Sequence, residues 1–476
     1  MKQRMIILAG ILLLSSCRDD VLPPQAFGPV PDETQMAWHE REQFAFIHFT
    51  TNTFTDKEWG YGDESPGIFN PTAFDADQWA ETIRDAGLTG IVLTCKHHDG
   101  FCLWPSAYTE HSVKNSPFLD GKGDVVKAVS DACRKYGLFF GVYLSPWDRN
   151  YAQYAFPEYI TYFRNQLTEL LSNYGEVSEV WFDGANGGDG YYGGAREMRK
   201  IDASTYYDWP NTYALVRQLA PRAVMFNGPT IRWCGNERGY AGETNWNTYT
   251  EDAPFEGDLN KRLNTGDEDG KAWLPAEVDV SIRPGWFYHA SEDGHVKTPD
   301  MLFKIYLESV GRGSSLILNL PPDRRGLLHE NDVKALAGWK ARLNEAFAVN
   351  LAAGAKAKAD TWRGKSKRYA APNLTDGDRE TYWATDDGVT TGSIEINLGA
   401  PKRVSYVLIQ EYIRLGQRVK SFTVEAKKEG GWEKVAEGTT VGYKRILPLD
   451  GVETSALRIR ITDAKACPLV SNIEVY

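Results

Sequence analysis

The sequence lacks the features that identify several common classes of protein. Its net charge of −11 gives no excess of positive charge for a nucleic acid partner. No G-x-G-x-x-G motif follows the first predicted strand, so a dinucleotide-binding fold lacks its fingerprint. The cysteines after Cys17 are few, odd in number and without CxxC or Cys/His spacing, which predicts neither a disulfide framework nor a zinc cluster. They are Cys95, Cys102, Cys133, Cys234 and Cys467.

Aromatic residues, in contrast, are abundant, with 15 Trp and 24 Tyr in a chain of 476 residues. Flat aromatic rings cover the apolar faces of pyranose sugars, so this composition favours a carbohydrate ligand, although large cores also use aromatic residues. The chain is long for one domain, and we therefore expect two.

The N-terminus has the layout of a secretory signal. A short basic stretch (residues 1–4) precedes an apolar run (residues 5–14) that is too short to span a membrane. Residues 14–17 (LSSC) resemble a bacterial lipobox, which implies that Cys17 becomes a lipidated first residue. The alternative is an ordinary signal peptide that contains a cysteine. We predict a signal peptide over residues 1–17, a tether over 18–35, and a lipid-anchored protein in the envelope of a Gram-negative-type bacterium, either periplasmic or at the cell surface.

Apolar runs alternate with helical patterns from about residue 44 to residue 319. The predicted strands cover residues 44–49, 90–96, 138–145, 177–183, 223–227, 276–282 and 314–320. The predicted helices cover residues 72–86, 124–136, 157–174, 206–219, 299–311 and 332–350. This alternation indicates an α/β fold with a parallel sheet, and polar residues at the carboxyl ends of several strands indicate a (β/α)8-type barrel over residues 36–350.

The pattern changes near residue 351 to short alternating strands separated by Gly and Asp turns. The segments 393–398, 404–411, 421–426 and 457–461 all alternate apolar and polar residues. We therefore predict an all-β sandwich over residues 352–476.

Candidate catalytic groups follow three of the predicted strands. Asp183 comes directly after an apolar strand, where a carboxylate could reach an anomeric carbon or could simply cap the next helix. His48 ends the first strand, and the adjacent His97 and His98 end the second. Imidazoles in these places can bind sugar hydroxyls or a metal, although adjacent residues of a strand point to opposite faces and so disfavour a shared metal. Four Trp residues lie in loops after strands, at positions 59, 104, 147 and 286.

Six segments, in order, resemble the α-L-fucosidases of glycoside hydrolase family 29. They are residues 46–49 (FIHF), 57–59 (KEW), 69–71 (FNP), 96–101 (KHHDGF), 181–184 (WFDG) and 316–322 (LILNLPP). The resemblance covers most of residues 38–345 and implies an enzyme that needs no catalytic cofactor.

The resemblance also implies roles for individual residues. Asp183 matches the family's nucleophile, and Trp286 matches the aromatic residue on the methyl side of the sugar. The positions that match fucose-binding residues are His48, Glu58, Trp59, His97, His98 and Tyr143.

The acid/base residue is harder to place because its position varies within the family. One subgroup carries it in a Gly-Asn-Glu segment after Ile-Arg-Trp, and residues 231–237 (IRWCGNE) match that pattern at Glu237. The separation from the nucleophile, 237 − 183 = 54 residues, is longer than this subgroup predicts, and the extra material lies at residues 187–194. Glu243 and Glu277 are therefore kept as alternatives.

The C-terminal segment resembles a discoidin-like (F5/8 type C) module with a jelly-roll fold, on residues 373–383 and 472–476. Oxygen atoms of Asp376, Asp378, Thr381 and Glu474 could hold a structural Ca²⁺, or the segment could be a polar turn that needs no ion. We expect this sandwich to buttress the barrel rather than to bind sugar.

The sequence thus predicts a retaining exo-α-L-fucosidase that acts on α-1,3- and α-1,4-linked fucose of branched, Lewis-type glycans. Its expected partners are fucosylated oligosaccharides or glycoconjugates and, through the lipid anchor alone, a membrane. The alternatives are a barrel glycosidase for another sugar, such as galactose, and a non-catalytic glycan-binding lipoprotein.

Overall fold

A computed structural model describes residues 21–251 and 257–476. The predicted signal peptide and Cys17 lie outside the described residues. Within the described ranges, no helix is both long enough and apolar enough to cross a membrane.

The first domain is a barrel of eight parallel strands, and this confirms the predicted fold. The strands are β1 (Gln43–Ile47), β2 (Gly90–Lys96), β3 (Phe139–Leu144), β4 (Glu179–Trp181), β5 (Val224–Phe226), β6 (Arg232–Trp233), β7 (Ala276–Ser281) and β8 (Ser315–Asn319). Neighbours in the sheet are neighbours in the chain, except that β1 pairs with β8. A bridge between Phe226 and Ile231 joins β5 to the start of β6 and nearly closes the ring.

The helices surround this ring. They are α1 (Glu33–Arg41), α2 (Thr51–Thr55), α3 (Ala76–Asp85), α4 (Val125–Tyr136), α5 (Glu158–Asn173), α6 (Trp209–Leu219), α7 (Leu259–Thr265), α8 (Pro299–Glu308) and α9 (Glu330–Ala346). Their ends follow ordinary capping chemistry, since the Asp124 side chain accepts a hydrogen bond from the Lys127 amide at the start of α4. Gly137, with φ of 71°, ends the same helix in the left-handed conformation that glycine favours.

The connection from β5 to β6 departs from the regular repeat. Residues 227–231, all of them described, join the two parallel strands without a helix. The sequence pattern did not predict β6, because a strand of two residues leaves no run of alternating or apolar residues to detect.

Aromatic rings fill the barrel beneath its mouth. Phe46 packs against Trp181, whose ring stacks on Phe226 with centroids 3.9 Å apart. Helix α1 lies at the opposite end and inserts Trp38, whose indole N–H donates to Glu277 at 3.2 Å. The barrel is therefore a packed core that closes the mouth from below.

The second domain is an antiparallel β-sandwich, again as predicted. Its strands are β9 (Lys356–Ala359), β10 (Trp383–Ala384), β11 (Gly392–Glu411), β12 (Val419–Lys428), β13 (Gly431–Gly438), β14 (Arg445–Ala464) and β15 (Leu469–Val475). The long strands β11 and β14 pair with each other, and shifts in their register mark bulges that bend the sheet.

The segment that was predicted to be a tether is held against the sandwich from Val21 onward. The carbonyl of Leu22 accepts from the Arg363 side chain at 2.7 Å, and the amide of Phe27 donates to Leu415 at 3.0 Å. A Pro-rich composition predicts an extended segment, which this is, but it does not reveal whether the backbone groups bond to a domain or to water. Residues 18–20 lie outside the described residues.

Candidate active site

The mouth of the barrel, at the carboxyl ends of the strands, contains a cavity of about 420 Å³. It is lined by Phe46, His48, Glu58, Trp59, His97, His98, Trp181, Asp183, Gly184, Ala185, Phe226, Asn227, Trp233, Glu237, Asp279 and Trp286. Nearly all of the predicted catalytic and sugar-binding residues are in this set, and Tyr143 contacts Asp183 from just outside it. The cavity therefore brings together residues that are far apart in the sequence.

His97 and His98 both line the cavity, although adjacent residues of a strand would face opposite ways. The reason is that β2 ends at Lys96, so the two imidazoles belong to the following loop. Their ring centroids lie 4.0 Å apart. Among the described residues, no group of three His, Cys, Asp or Glu side chains has the arrangement of a metal site.

Hydrogen bonds fix the tautomer of His48. Asn319 uses its side-chain NH2 group to donate to the Ser281 hydroxyl and the Trp286 carbonyl, which leaves its Oδ1 facing His48 Nδ1 at 2.8 Å. Because Oδ1 can only accept, Nδ1 carries the proton. Burial lowers the pKa of His48 to about 4, so its Nε2 presents a lone pair to the cavity at neutral pH.

His98 is oriented in a similar way. The Ser145 hydroxyl donates to the Trp147 carbonyl at 2.7 Å and so accepts from His98 Nδ1, also at 2.7 Å. Burial lowers the pKa of His98. The negative charge of Asp183 acts against this shift, and the positive charges of Arg149 and Lys96 add to it. The cavity thus contains neutral imidazoles, and each can accept a hydrogen bond from a sugar hydroxyl group.

Asp183 follows β4 and faces the cavity. Its Oδ2 accepts from the Tyr143 hydroxyl at 3.0 Å, and its Oδ1 accepts from the Ala185 amide at 2.7 Å. Burial and the nearby Asp183 charge raise the pKa of Tyr143 well above its usual range, so Tyr143 remains a donor. The alternative interpretation of Asp183 was that it caps the next helix. The contact with the Ala185 amide resembles such a cap, but no helix starts there in the described chain.

Glu237 lies in the loop between β6 and α7, and its Oε2 is 3.3 Å from the indole nitrogen of Trp286. Burial raises the pKa of Glu237. The hydrogen bond from Trp286 acts against this rise, and the negative charges of Asp183 and Glu58 add to it. A carboxyl group in this environment can hold a proton where an exposed glutamate would have lost it.

The two alternatives for the acid/base residue lie elsewhere. The Glu243 side chain is 78% exposed, and it faces Arg312 beside the sandwich. Glu277 is inside the barrel below the cavity, where it accepts from the indoles of Trp38 and Trp181. Neither Glu243 nor Glu277 is among the described residues that line the cavity.

Glu58 is held by groups that the sequence did not point to. Its carboxylate accepts from the amides of Trp286 and Phe287, at 2.8 Å and 3.1 Å. His289 lies between Glu58 and Asp56, with a ring nitrogen within 2.9 Å of each carboxylate. Burial alone would lower the pKa of His289, but its hydrogen bonds to these two carboxylates raise it. His289 is three residues beyond Trp286, and proximity to that motif was its one signal in the sequence.

Asp279 is a further carboxyl group of the cavity that was not predicted. It accepts from the indole nitrogen of Trp233 at 2.9 Å, and burial and then the charge of Glu237 raise its pKa well above the usual range. A signal existed, because the alternation along β7 places Glu277 and Asp279 on the same, inward face.

The loop tryptophans differ in their environment. Trp59 is 53% exposed at the rim, and its ring packs edge-on against His98 and Trp147. Trp147 is buried behind it, and Trp104 is buried with its indole nitrogen donating to Glu169 at 2.8 Å. Trp104 therefore serves packing rather than the cavity.

The predicted calcium ligands do not form a single set. In the turn of residues 376–381, Asp376 accepts from the amide of Asp378 and the hydroxyl of Thr381. Glu474 is on β15, where its oxygen atoms accept from Asn472 and Tyr476. The carboxylate oxygen atoms of Asp376 and Glu474 thus already accept hydrogen bonds from protein donors, and calcium binding stays a prediction.

Each of the two domains matches a known protein family. Residues 26–344 match the family Alpha-L-fucosidase, and residues 355–474 match the F5/8 type C domain. The chain is 40% identical over 456 residues to Alpha-L-fucosidase 1 of Arabidopsis thaliana, covering 94% of this chain and 87% of that protein.

Solved structures extend the similarity. A glycoside hydrolase 29 family member from an unknown rumen bacterium shares 46% identity with a TM-score of 0.85, covering 95% of this chain and 78% of that one. A GH29 fucosidase of Ruminococcus gnavus, solved in complex with fucose, shares 33% identity with a TM-score of 0.86, covering 96% of each chain.

The protonation of the imidazoles can be measured directly. In protein labelled with ¹⁵N-histidine, we expect the ring nitrogens of His48 and His98 to show the neutral, Nδ1-protonated pattern at pH 7. His48 should keep this pattern until the pH approaches about 4, the value to which burial lowers its pKa. Signals are assigned with His48→Gln and His98→Gln variants. An imidazolium pattern for either residue at pH 7 would contradict the hydrogen-bond assignment.

Proposed function

The chain belongs to the α-L-fucosidase family, glycoside hydrolase family 29, and we propose that it is a retaining exo-enzyme for α-1,3- and α-1,4-linked fucose of branched glycans. The observation that carries the proposal is that Asp183 and Glu237 line one cavity together with neutral imidazoles. One carboxyl group is held by hydrogen-bond donors and the other sits where burial favours its proton.

The proposed reaction has two displacement steps. Asp183 attacks the anomeric carbon as the bond to the departing sugar oxygen breaks, and Glu237 gives its proton to that oxygen. In the second step, Glu237 takes a proton from a water molecule as the water displaces Asp183 from the anomeric carbon. Fucose is released with its original configuration, and both carboxyl groups return to their starting states.

The shape of the cavity supports an exo mode of action. The rings of Phe46, Trp181 and Phe226 close it from below, so a sugar can enter from the mouth and the chain cannot continue past it. His48 and His98 present lone pairs to hydroxyl groups, while the Trp286 ring offers an apolar surface to a methyl group. That surface, together with family membership, favours fucose over galactose, which has a hydroxymethyl group where fucose has its methyl group. The same membership and the two carboxyl groups disfavour a non-catalytic glycan-binding lipoprotein.

Substitution of the two carboxyl groups should give different results. We expect Asp183→Ala to lose nearly all turnover and to recover part of it with azide, which yields a fucosyl azide of inverted configuration. Glu237→Ala should lose about 10²–10⁴-fold in kcat on natural glycans and far less on aryl fucosides with good leaving groups. Product configuration is read by NMR. The control is Glu176→Gln, since Glu176 is an exposed residue that pairs with Arg222 on the surface.

The pH profile adds an independent measure. Glu237 acts with its proton on, so activity falls as the pH rises through its pKa, which burial raises above the usual value. This basic limb should disappear in Glu237→Ala. A wild-type rate of Glu237→Ala on natural glycans would contradict the acid/base role of Glu237.

The linkage preference rests on the loops around the mouth. A Gly-Asn-Glu loop carries Glu237, and a hairpin formed by residues 188–190 and 197–199 lies beside Trp147 at the rim. In a branched substrate, a galactose sits next to the fucose on the same N-acetylglucosamine. These loops can bind it, and such remote binding energy helps to orient the scissile bond.

We therefore expect Lewis trisaccharides to be hydrolysed much faster than 2′-fucosyllactose, with small aryl fucosides as poor substrates. The measurement is kcat/KM for each substrate under the same conditions. Comparable values for a Lewis trisaccharide and 2′-fucosyllactose would indicate a broad fucosidase that recognises fucose alone.

A lipid anchor at Cys17 completes the proposal, on the basis of the lipobox-like residues 14–17. The full-length protein should partition with membranes, and Cys17→Ala should release it or block its maturation. Mass spectrometry of the mature N-terminus decides the question, since an unmodified N-terminus at another residue would contradict the anchor.

A further inference from the structure

The loop that carries Glu237 is shared between the two domains. It leaves the barrel at β6 and returns through residues 243–247, which we call the return segment. Side chains of the sandwich bind this segment. The Gln417 side chain contacts Asn245 and Asn247, the hydroxyl groups of Thr439 and Thr440 contact residues 243–245, and Arg445 donates to the Glu243 carbonyl at 2.7 Å.

Asn245 is the centre of these contacts. Its amide donates to Thr440 Oγ1 at 2.8 Å, and its carbonyl accepts from Gln417 Nε2 at 2.9 Å. Its side chain bonds to the barrel, since Oδ1 accepts from Arg232 of β6 and Nδ2 donates to the Arg312 carbonyl. The backbone of Asn245 is therefore held by the sandwich and its side chain by the barrel.

The side chain of Gln417 bonds to the return segment through both of its polar atoms. It is 4% exposed, and its Oε1 accepts from both the amide and the side chain of Asn247, at 2.8 Å and 3.1 Å. Its Nε2 donates to the Asn245 carbonyl, so both polar atoms of the side chain contact the return segment. Buried groups that lose such partners are costly to leave unpaired, so the segment is fixed in one conformation.

Barrel residues hold the stretch of the loop between β6 and the return segment, which includes Glu237. Asn264 donates to the carbonyls of Cys234 and Tyr240, on either side of Glu237. Arg312 donates to the Ala241 carbonyl at 2.8 Å, two residues before the return segment. Glu237 thus lies on a stretch whose flanks are held by barrel residues, and the return segment that follows this stretch is held by both domains.

We propose that the sandwich is part of the frame of the active site and that Gln417 is a positioning residue for Glu237. The inference rests on the proposed acid/base role of Glu237. A displacement of about 1 Å in a catalytic group can cost about 10²-fold in rate, so a small shift of the return segment should reduce proton transfer. Attack by Asp183, which lies on the other side of the cavity at the end of β4, should change little.

The test compares two kinds of leaving group. In the full chain, Gln417→Ala should lose about tenfold or more in kcat on a Lewis trisaccharide, whose leaving oxygen needs a proton. On 2-chloro-4-nitrophenyl fucoside, whose leaving group departs unprotonated, it should stay within about twofold of the wild type. Thr440→Val, which removes the acceptor of the Asn245 amide with little change in volume, should shift the ratio of the two rates in the same direction. It gives the answer if Gln417→Ala does not fold.

Two further variants make the result decisive. Arg414→Ala removes a contact between the domains, to Glu33 of α1, that does not touch the loop, and it should leave both rates unchanged. Glu237→Gln should show the same difference between leaving groups as Gln417→Ala, but larger. If Glu237→Gln shows no such difference, the proposed acid/base assignment is wrong. If Glu237→Gln shows it while Gln417→Ala and Thr440→Val lose equally on both substrates, or on neither, the positioning role is wrong.

Discussion

The proposed mechanism requires two carboxyl groups to share one cavity in opposite protonation states, and the arrangement of the site fits this constraint. Asp183 accepts hydrogen bonds from Tyr143 and from the Ala185 amide, which stabilise a carboxylate. Glu237 has the weaker contact, to the Trp286 indole at 3.3 Å, and burial raises its pKa. The charge of Asp183 raises it further, so ionisation of one group helps to keep the proton on the other.

The same constraint explains why the imidazoles around the cavity are neutral. An imidazolium beside Asp183 would pair with its carboxylate, the proposed nucleophile, and would favour loss of the proton from Glu237. Burial lowers the pKa values of His97 and His98, and the positive charge of Arg149 acts in the same direction. Arg149 also donates to the Gly60 carbonyl and to Asp189, so it joins the loop after β1 to the hairpin after β4. One buried cation thus serves both the electrostatics and the shape of the mouth.

The sequence predicted the barrel, the sandwich and half of the residues that line the cavity, because apolar runs mark strands and the ends of parallel strands meet at one edge. It could not predict what depends on tertiary contacts. The partner of Glu58, His289, comes from a loop more than 200 residues away, and residues 21–27 bond to a sandwich that is distant in the chain. The two-residue strand β6 is set by its neighbours rather than by its own pattern. The alternation along β7 was a signal for Asp279, but it identifies a cavity residue only once the inward face of the strand is known.

Asp183 and Glu237 are 54 residues apart in the sequence, but the fold makes their separation in space independent of this number. The extra residues form a hairpin that packs on Trp147, where the Tyr192 hydroxyl accepts from the indole nitrogen at 3.0 Å, and the chain then returns through α6 to β5. From β5, residues 227–231 lead directly to β6 without a helix, so Glu237 follows its strand closely. The two carboxyl groups are therefore placed by β4 and β6, two positions apart in the ring, whatever lies between them in the chain. An insertion after Asp183 can then change the rim of the cavity while the spacing of the two carboxyl groups is retained.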